Sequence, residues 1–596
     1  MNQNNTLVIL PFVNSSSDKE FEFFSDGITE EIITALGKIN GLKVISRTSS
    51  FYFKGKDIPL KEIVNKLNVK MVLEGSVRIA GNQIRISAQL IDSENDFQVW
   101  SNTWDRELSN IFEIQDEISL LIADNLREYL GHFEIDNQLI TKQTDNLEVY
   151  ELALKARFLF NKWNPNDVNE AIRLFEEALA ADPNHVESMV GIADCYSFLS
   201  ITGFMNPEIG WQKTVEYTNK GLELEPKHPG LHYILANISF FRECNFSNSM
   251  EHAMNVVRFR PNYPEGQQFL FFLFTLRGQL DKAEEYINSA LAIDPLNQET
   301  QFYRAFFLYR SGKYQSAIES LEKLLEINPK SIPALTVLAY CLVKTGEPNK
   351  ALDLFDNLPE DLLIEDDKLG VSCLAYILLG NQNQVNKHLS VLESKVSNPE
   401  AIQSHSYLFL VYVNLKRFDD AVKLYENTIA GRSPIFMISL SDPLASDMRN
   451  DRRYQLIHNK TYRVKANDLD EEPKSQPLLD EPTSLSYTNK LVSYMEQETP
   501  YLNPDLSLRH LAELIELHPN QLSWLLNTQL DMNYNYFVNK YRLSHFKELA
   551  TDKSNSHISL MGLAFESGFN SKTVFNTFFK KETGMTPSAY LKSKTK

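Results

Sequence analysis

The stretch Gly568-Phe569-Asn570-Ser571-Lys572-Thr573-Val574-Phe575, followed by Phe579-Lys580-Lys581, Gly584 and Thr586-Pro587, decides how the C-terminal end of this chain folds. Leu560, Leu563 and Ala564 precede it at i, i+3, i+4, which predicts a short helix with one apolar face. Gly568 can take the positive φ that closes such a helix, and Ser571 can cap the next one. Phe575, Phe578 and Phe579 repeat the spacing and bury a second helix against the first, leaving Lys572, Thr573, Asn576, Thr577 and Lys580 on its outer face. Two short helices joined by a tight glycine turn, with a polar outer face on the second, make a helix-turn-helix.

A second copy lies upstream. Leu508, Leu511, Ala512 and Ile515 form one helix face. After His518-Pro519, Leu522, Leu525 and Leu526 form another, which leaves Asn520, Gln521, Ser523, Trp524 and Asn527 outward. Tyr534, Phe537, Val538 and Tyr541 recur at helical spacing between the copies and predict a linking helix from Asn535 to Ala550, about 24 Å long. Two reader helices so joined can reach successive major grooves, about 34 Å apart.

These features resemble the AraC/XylS family of bacterial transcription regulators. The matching residues are Tyr541-Arg542-Leu543, Leu563-Ala564, Gly568-Phe569, Ser571, Phe575, Phe579-Lys580-Lys581, Gly584, Thr586-Pro587 and Tyr590, within a stretch running from about Ser484 to Lys592. Thr577 stands where many members carry Arg. The resemblance implies sequence-specific binding to double-stranded promoter DNA, and a homodimer that no heptad seam announces. Asn520, Gln521, Ser523 and Asn527 would enter the first groove, with Trp524 on a sugar or a thymine methyl. Lys572, Thr573, Asn576 and Thr577, with Ser571 at the helix start, would enter the second. Asn can bond adenine bidentately and Lys can reach guanine. Arg542, Lys580 and Lys581 would meet phosphates, which position the domain without specifying sequence.

The chain of 596 residues is long enough for three or four domains. Its net charge of −19 looks wrong for a DNA binder, but residues 483–596 hold 12 Lys+Arg against 10 Asp+Glu, so the acidic excess lies elsewhere. Affinity for DNA follows local phosphate neutralisation, and the acidic bulk confines binding to one end. The sequence has no apolar run long enough for a membrane span, and Met1–Asn5 lacks a secretory n-region. Cys195, Cys244, Cys341 and Cys373 are far apart and form no CxxC, which suggests a reducing cytoplasm and neither disulfides nor zinc.

Residues 147–435 are a repeat array. Pro261, Pro295 and Pro329 step by 34, as do Gly278, Gly312 and Gly346, and Ala283, Ala317 and Ala351. That period, with small residues at helix crossings and Pro past the second helix, is the tetratricopeptide pattern. Stacked repeats form a superhelix that commonly docks a protein or peptide partner. The run Phe269, Phe271, Phe272, Phe274 reads as repeat core rather than a ligand box.

Residues 5–132 read as an α/β domain. Leu7–Phe12 is a buried strand, followed by a helix over 25–39, a strand over 42–45 and a helix over 60–67. Strands over 71–79 and 83–92 then form a hairpin through Ala80-Gly81-Asn82, a further strand covers 97–106, and a closing helix runs over 111–130. The text Val8-Ile9-Leu10-Pro11-Phe12, Phe24-Ser25-Asp26-Gly27-Ile28-Thr29-Glu30-Glu31 and Leu73-Glu74-Gly75-Ser76-Val77-Arg78 resembles the TolB-amino-terminal-like domain. Asp26, Glu30 and Glu31 read as acids complementing a helix dipole rather than a carboxylate site. Arg47, Lys54, Lys56 and Arg78 read as surface charges more than as a phosphate site. Residues 436–483 form a terminal cap and an acidic, Pro-rich linker over Asp468–Pro482, and residues 484–596 are the DNA-reading domain.

The chain carries none of the GxxxxGK[ST], GxGxxG, GxSxG or HExxH motifs. The reading is therefore a multidomain, mainly α protein with three parts: an N-terminal α/β domain, a central tetratricopeptide superhelix and a C-terminal all-α double helix-turn-helix. It is expected to be a cytoplasmic transcription regulator, with no enzymatic activity and no cofactor. The alternative is a scaffold acting mainly through protein docking on the repeats.

Overall fold

Leu7, Val8 and Ile9 are fully buried because their strand lies inside a sheet, hydrogen-bonded on both sides. The computed structural model describes residues 5–594 except 17–20, 95–96, 109–110, 141–142, 162–164, 202–203, 359–364, 397–400, 430–432 and 465–476. Strands β1 (Thr6–Ile9), β2 (Val13–Asn14), β3 (Lys43–Val44), β4 (Met71–Ala80), β5 (Gln83–Asp92) and β6 (Phe97–Glu107) form one sheet in the order β3-β1-β4-β5-β6. β2 runs beside the later part of β4. Parallel pairing on the β1 side needs crossover connections, whereas β4, β5 and β6 are an antiparallel meander. Ile84, Ile86, Ala88 and Leu90 alternate inward along β5, as the sequence predicts.

The helices α1 (Glu22–Leu36), α2 (Arg47–Phe51), α3 (Leu60–Leu67) and α4 (Ile111–Leu130) complete this region. α1 begins three residues earlier than expected, and α1 and α4 pack on each other. Asp26 is not a first-turn dipole partner: it lies in the body of α1, 5% exposed, and Lys54 Nζ donates to both its oxygens at 2.7 Å. An ion pair accounts for that carboxylate and for one of the four basic residues once considered together.

The chain forms two compact units. One comprises Met1–Val44, Phe53–Lys142 and Glu472–Lys596; the other comprises Ile45–Tyr52 and Gln143–Glu471. The α/β domain and the C-terminal helices therefore share a unit, which separate sequence domains did not suggest.

In the repeat unit, paired helices run from Leu147–Phe160 to Phe418–Ile429. Gly278, Gly312 and Gly346 sit at φ of +80°, +76° and +76° in equivalent turns, and Gly380 repeats the geometry at +66°. Open space surrounds each, so the left-handed backbone, not crowding, requires glycine there. Ala283, Ala317 and Ala351 are fully buried where helices cross, and Phe269, Phe271, Phe272 and Phe274 belong to the same core. The period is broken where helix Pro229–Asn237 passes into a π-turn at Ile238–Arg242. Helix Pro434–Leu440, the 3-10 turn Pro443–Met448 and helix Arg452–Thr461 cap the array. Most of the expected acidic linker lies outside the described residues. Its last three do not belong to a linker: Asp480 caps helix Glu481–Gln497 by accepting from Thr483 N at 2.8 Å, and Glu481 and Pro482 form the first turn.

The inserted segment Ile45–Tyr52 is tied to the repeats by one buried carboxylate. Asp294 accepts from the hydroxyls of Ser46 and Ser49, the latter at 2.6 Å, and Ser49 Oγ accepts from Leu296 N at 2.9 Å. Asp294→Ala strands both hydroxyls and is expected to cost about 2 kcal/mol. Hydrogen exchange should then rise over residues 46–52, and unchanged protection there would refute the tie.

Candidate nucleic-acid interface

Each half of the C-terminal domain has its own apolar core. In the first, Ser507 caps helix Leu508–Leu514 by accepting from His510 N at 3.2 Å, and Leu508, Leu511, Ala512 and Ile515 are buried. The first reader helix, Pro519–Gln529, opens on a reciprocal cap. His518 Nδ1 accepts from Asn520 N at 3.2 Å, and His518 N donates to Gln521 Oε1 at 3.1 Å. In the second half, Ser559 caps Leu560–Glu566. Ser571 caps the second reader helix, Lys572–Thr583, and Gly584 ends it at φ +70°. Phe546, Phe575 and Phe579 meet edge to face at 4.7–5.7 Å and hold that helix down. The linking helix, Tyr534–Thr551, spans about 27 Å, slightly longer than expected.

A polar joint fixes one half on the other. Arg542, 7% exposed, donates through Nε to the Tyr501 carbonyl at 2.8 Å and through Nη2 to the Asn503 carbonyl at 2.9 Å. Gly568 turns against the same place at φ +89°, and a Cβ there would stand 2.1 Å from the Tyr501 carbonyl oxygen. The expectation that Arg542 meets a phosphate is therefore corrected. Its guanidinium is buried and occupied inside the domain.

The other candidates divide. Lys572, Thr573, Thr577, Lys580 and Lys581 are exposed and Asn576 is half-buried on the second reader helix, as the spacing predicts. The Lys581 ammonium lies 5.6 Å over the Tyr536 ring. On the first reader helix, Asn520, Gln521, Trp524 and Asn527 are half-buried. Ser523 is a correction: it is 1% exposed, so its side chain does not face outward. Trp524 partly packs into the first core.

Residues that the sequence did not single out occupy the first reader helix. The Arg127 side chain, 1% exposed, pairs with Asp124 at 2.6 Å and donates from Nη1 to Asn520 Oδ1 at 2.5 Å. The Ile135 backbone completes the bonding, its N–H reaching Asn520 Oδ1 and its carbonyl accepting from Nδ2, each at 3.2 Å. Asp124 Oδ2 also holds Arg509 Nη2 at 2.9 Å, and Glu128 Oε1 accepts from Leu508 N at 2.7 Å. Asn533 Nδ2 donates to the Tyr129 carbonyl at 2.9 Å, and Gly131 abuts Asn527. Burial pushes the Glu128 carboxyl up to about 7, against the Leu508 N–H and the Arg127 and Arg542 charges. The same burial, with Arg127 nearby, lowers the His132 imidazole to about 4. The end of α4 thus sits on the face expected to enter a groove.

Residues 511–593 match the helix-turn-helix domain family. The C-terminal domain is an AraC-type helix-turn-helix domain. Residues 276–332 and 308–362 match tetratricopeptide-repeat families, and residues 3–121 match the second domain of HilA/YgeH-like transcriptional regulators. The region read through its likeness to TolB thus carries a regulator domain, joined through repeats to the AraC-type reader. Putative adenylate cyclase 3 of Rhizobium meliloti is 35% identical over 236 residues, 39% of this chain and 39% of that protein. The transcriptional regulator HilA of Salmonella typhimurium is 21% identical over 297 residues, 49% of this chain and 51% of its own. The chain spans about half or less of the length of these curated relatives. A solved tetratricopeptide repeat protein from Parabacteroides merdae superposes with a TM-score of 0.32 at 12% identity, covering 44% of this chain and 98% of that one. Among the described residues, no helix is long and apolar enough to cross a membrane.

Arg542→Ala leaves two buried carbonyls without their donor and is expected to destabilise the C-terminal domain by about 3 kcal/mol. Urea denaturation followed by the hydrogen exchange of the linking helix measures it. A loss below about 0.5 kcal/mol, ordinary for a surface site, would return Arg542 to the phosphate contacts.

Proposed function

We propose that this protein regulates transcription by reading double-stranded promoter DNA with its two reader helices, while its α/β domain holds the first of them away from the groove. The reading is carried by Asn520. Its amide has the donor and acceptor pair that recognises adenine, and both are already bonded to Arg127 and Ile135. The second reader helix keeps Lys572, Thr573, Thr577, Lys580 and Lys581 exposed. A protein in this form would grip DNA by one helix and need release of the other for full site selection.

In the proposed complex, Asn520, Gln521 and Asn527 address the first half-element, and Lys572, Thr573, Asn576 and Thr577 the second. Ser571 sits at the start of that second helix, and Lys580 and Lys581 lie against phosphates. The repeats supply a surface for a protein or peptide partner. Cytoplasmic action follows from the promoter as target, and no catalytic step is assigned to any residue.

Two experiments on the full chain test this reading. Fragments selected from genomic DNA should share a site with two half-elements about one helical turn apart. Lys572→Ala with Asn576→Ala should abolish the preference for that site, and retained selectivity would refute the assignment. Separately, Asp124→Asn weakens the hold on Arg509 and Arg127 and should tighten binding to the selected site about tenfold, by enlarging the competent fraction. Equal affinity of Asp124→Asn and the parent at the same salt concentration would sink the restraint while leaving DNA reading intact.

A further inference from the structure

The repeat unit contains a cavity of about 360 Å³ that neither its helix pairing nor DNA reading uses. It lies where helices Pro264–Arg277 and Gln298–Arg310 end against the terminal cap. Three guanidiniums line it, those of Arg277, Arg310 and Arg449, together with His458, Gln455 and Asn459. None of the described lining residues is Asp or Glu, in a chain where acids outnumber bases 78 to 59.

The cations are incompletely matched. The Arg310 side chain is 3% exposed; its Nη2 donates to the Ser441 carbonyl and hydroxyl, each at 2.7 Å, and its Nη1 has no hydrogen-bond partner. Asp442 Oδ2 is 3.9 Å from that Nη1, and Asp442 itself is already engaged by the Tyr309 hydroxyl at 2.5 Å and Leu444 N at 2.8 Å. Arg277 also has a buried Nη1 without a partner. Asp442 thus faces Arg310 and Lys344, while Arg449 is exposed. The His458 imidazole registers the field: burial first, then Arg449 and Arg310, lower it from its ordinary value, although the Leu276 carbonyl opposes them. Arginines lining a cavity without a carboxylate favour an oxyanion, which accepts bidentate, charge-assisted hydrogen bonds from guanidiniums.

We propose that this cavity is a binding site for a small phosphorylated metabolite of sugar or polyol type. Its phosphate would be met by the half-buried Arg277 and the exposed Arg449, with the buried Arg310 behind them. Leu276 and Leu280 supply an apolar wall for the carbon body. The exposed Gln455 and Asn459 offer partners for hydroxyls. The volume is at the small end of the range for metabolite pockets, room for one such molecule. This inference is independent of DNA reading, since it concerns the repeat unit alone.

Calorimetric titration of the full chain at about 50 mM salt, where surface screening is modest, tests it. The probes are ribose 5-phosphate, inorganic phosphate, malate and uncharged ribose. Ribose 5-phosphate should bind with a Kd of about 1 mM or tighter, inorganic phosphate more weakly, and ribose not at all. Gln455→Glu places a negative charge at an exposed lining position without removing a buried contact, and should weaken the sugar phosphate at least about tenfold. Arg277→Ala should abolish binding; if that variant unfolds, Gln455→Glu still decides. Absence of heat with both phosphates, or undiminished affinity in Gln455→Glu, would overturn the site. Malate binding as tightly as ribose 5-phosphate would overturn the assignment to phosphate esters.

Discussion

Everything the C-terminal domain can do with DNA depends on the Arg542 joint. The two halves have separate apolar cores, and hydrophobic burial fixes each half without fixing their relative placement. Hydrogen bonds are directional. One guanidinium bonded to the Tyr501 and Asn503 carbonyls sets a distance and an angle that packed Leu and Phe side chains leave soft. Gly568 completes the constraint by bringing the second turn against the same carbonyl, where any side chain would collide. A two-site reader needs this rigidity, because a small error at the joint grows along a linking helix of about 27 Å into a missed groove.

What the sequence revealed followed from periodicity. Burial at i, i+3, i+4 located both helix-turn-helix units, and a 34-residue step located the repeat turns at Gly278, Gly312 and Gly346. The alternation of Ile84, Ile86, Ala88 and Leu90 located a strand face. What stayed hidden depended on partners remote in sequence. Ser523 looked outward because only its own helix could be considered, and in the fold it is buried. Arg542 looked like a phosphate ligand because a charge on a helix is ordinarily solvated, and carbonyls awaiting a donor leave no mark in composition. Arg127 offered a faint signal, since it follows the buried Ala123 at i+4, on a side where a charge requires partners. Asp124 is three residues away, but its other partner, Asn520, lies nearly four hundred residues away.

The grip of α4 on the first reader helix uses groups of the kind DNA itself would use. Asp124 and Glu128 offer carboxylates to Arg509 and to the Leu508 N–H, donors that commonly meet phosphates. Arg127 and Ile135 take the Asn520 amide, which would otherwise face a base edge. The restraint and the duplex cannot occupy these groups together, so the proposed regulation is competition for the same bonds.

Salt acts unequally on such a competition. The Asp124–Arg509 pair is half-exposed on the arginine side, so ions screen it and it contributes little. Arg127 is 1% exposed and Asp124 18%, so screening reaches their pair and the bond to Asn520 less. DNA binding loses affinity steeply as salt rises, because each neutralised phosphate gives up released counterions. In the proposed competition, raising salt therefore weakens binding to the duplex more than the restraint and shifts the balance toward the closed reader helix. In that proposal a signal that opens the protein acts on Arg127 in the α/β domain, since loosening the exposed Asp124–Arg509 pair leaves Asn520 held.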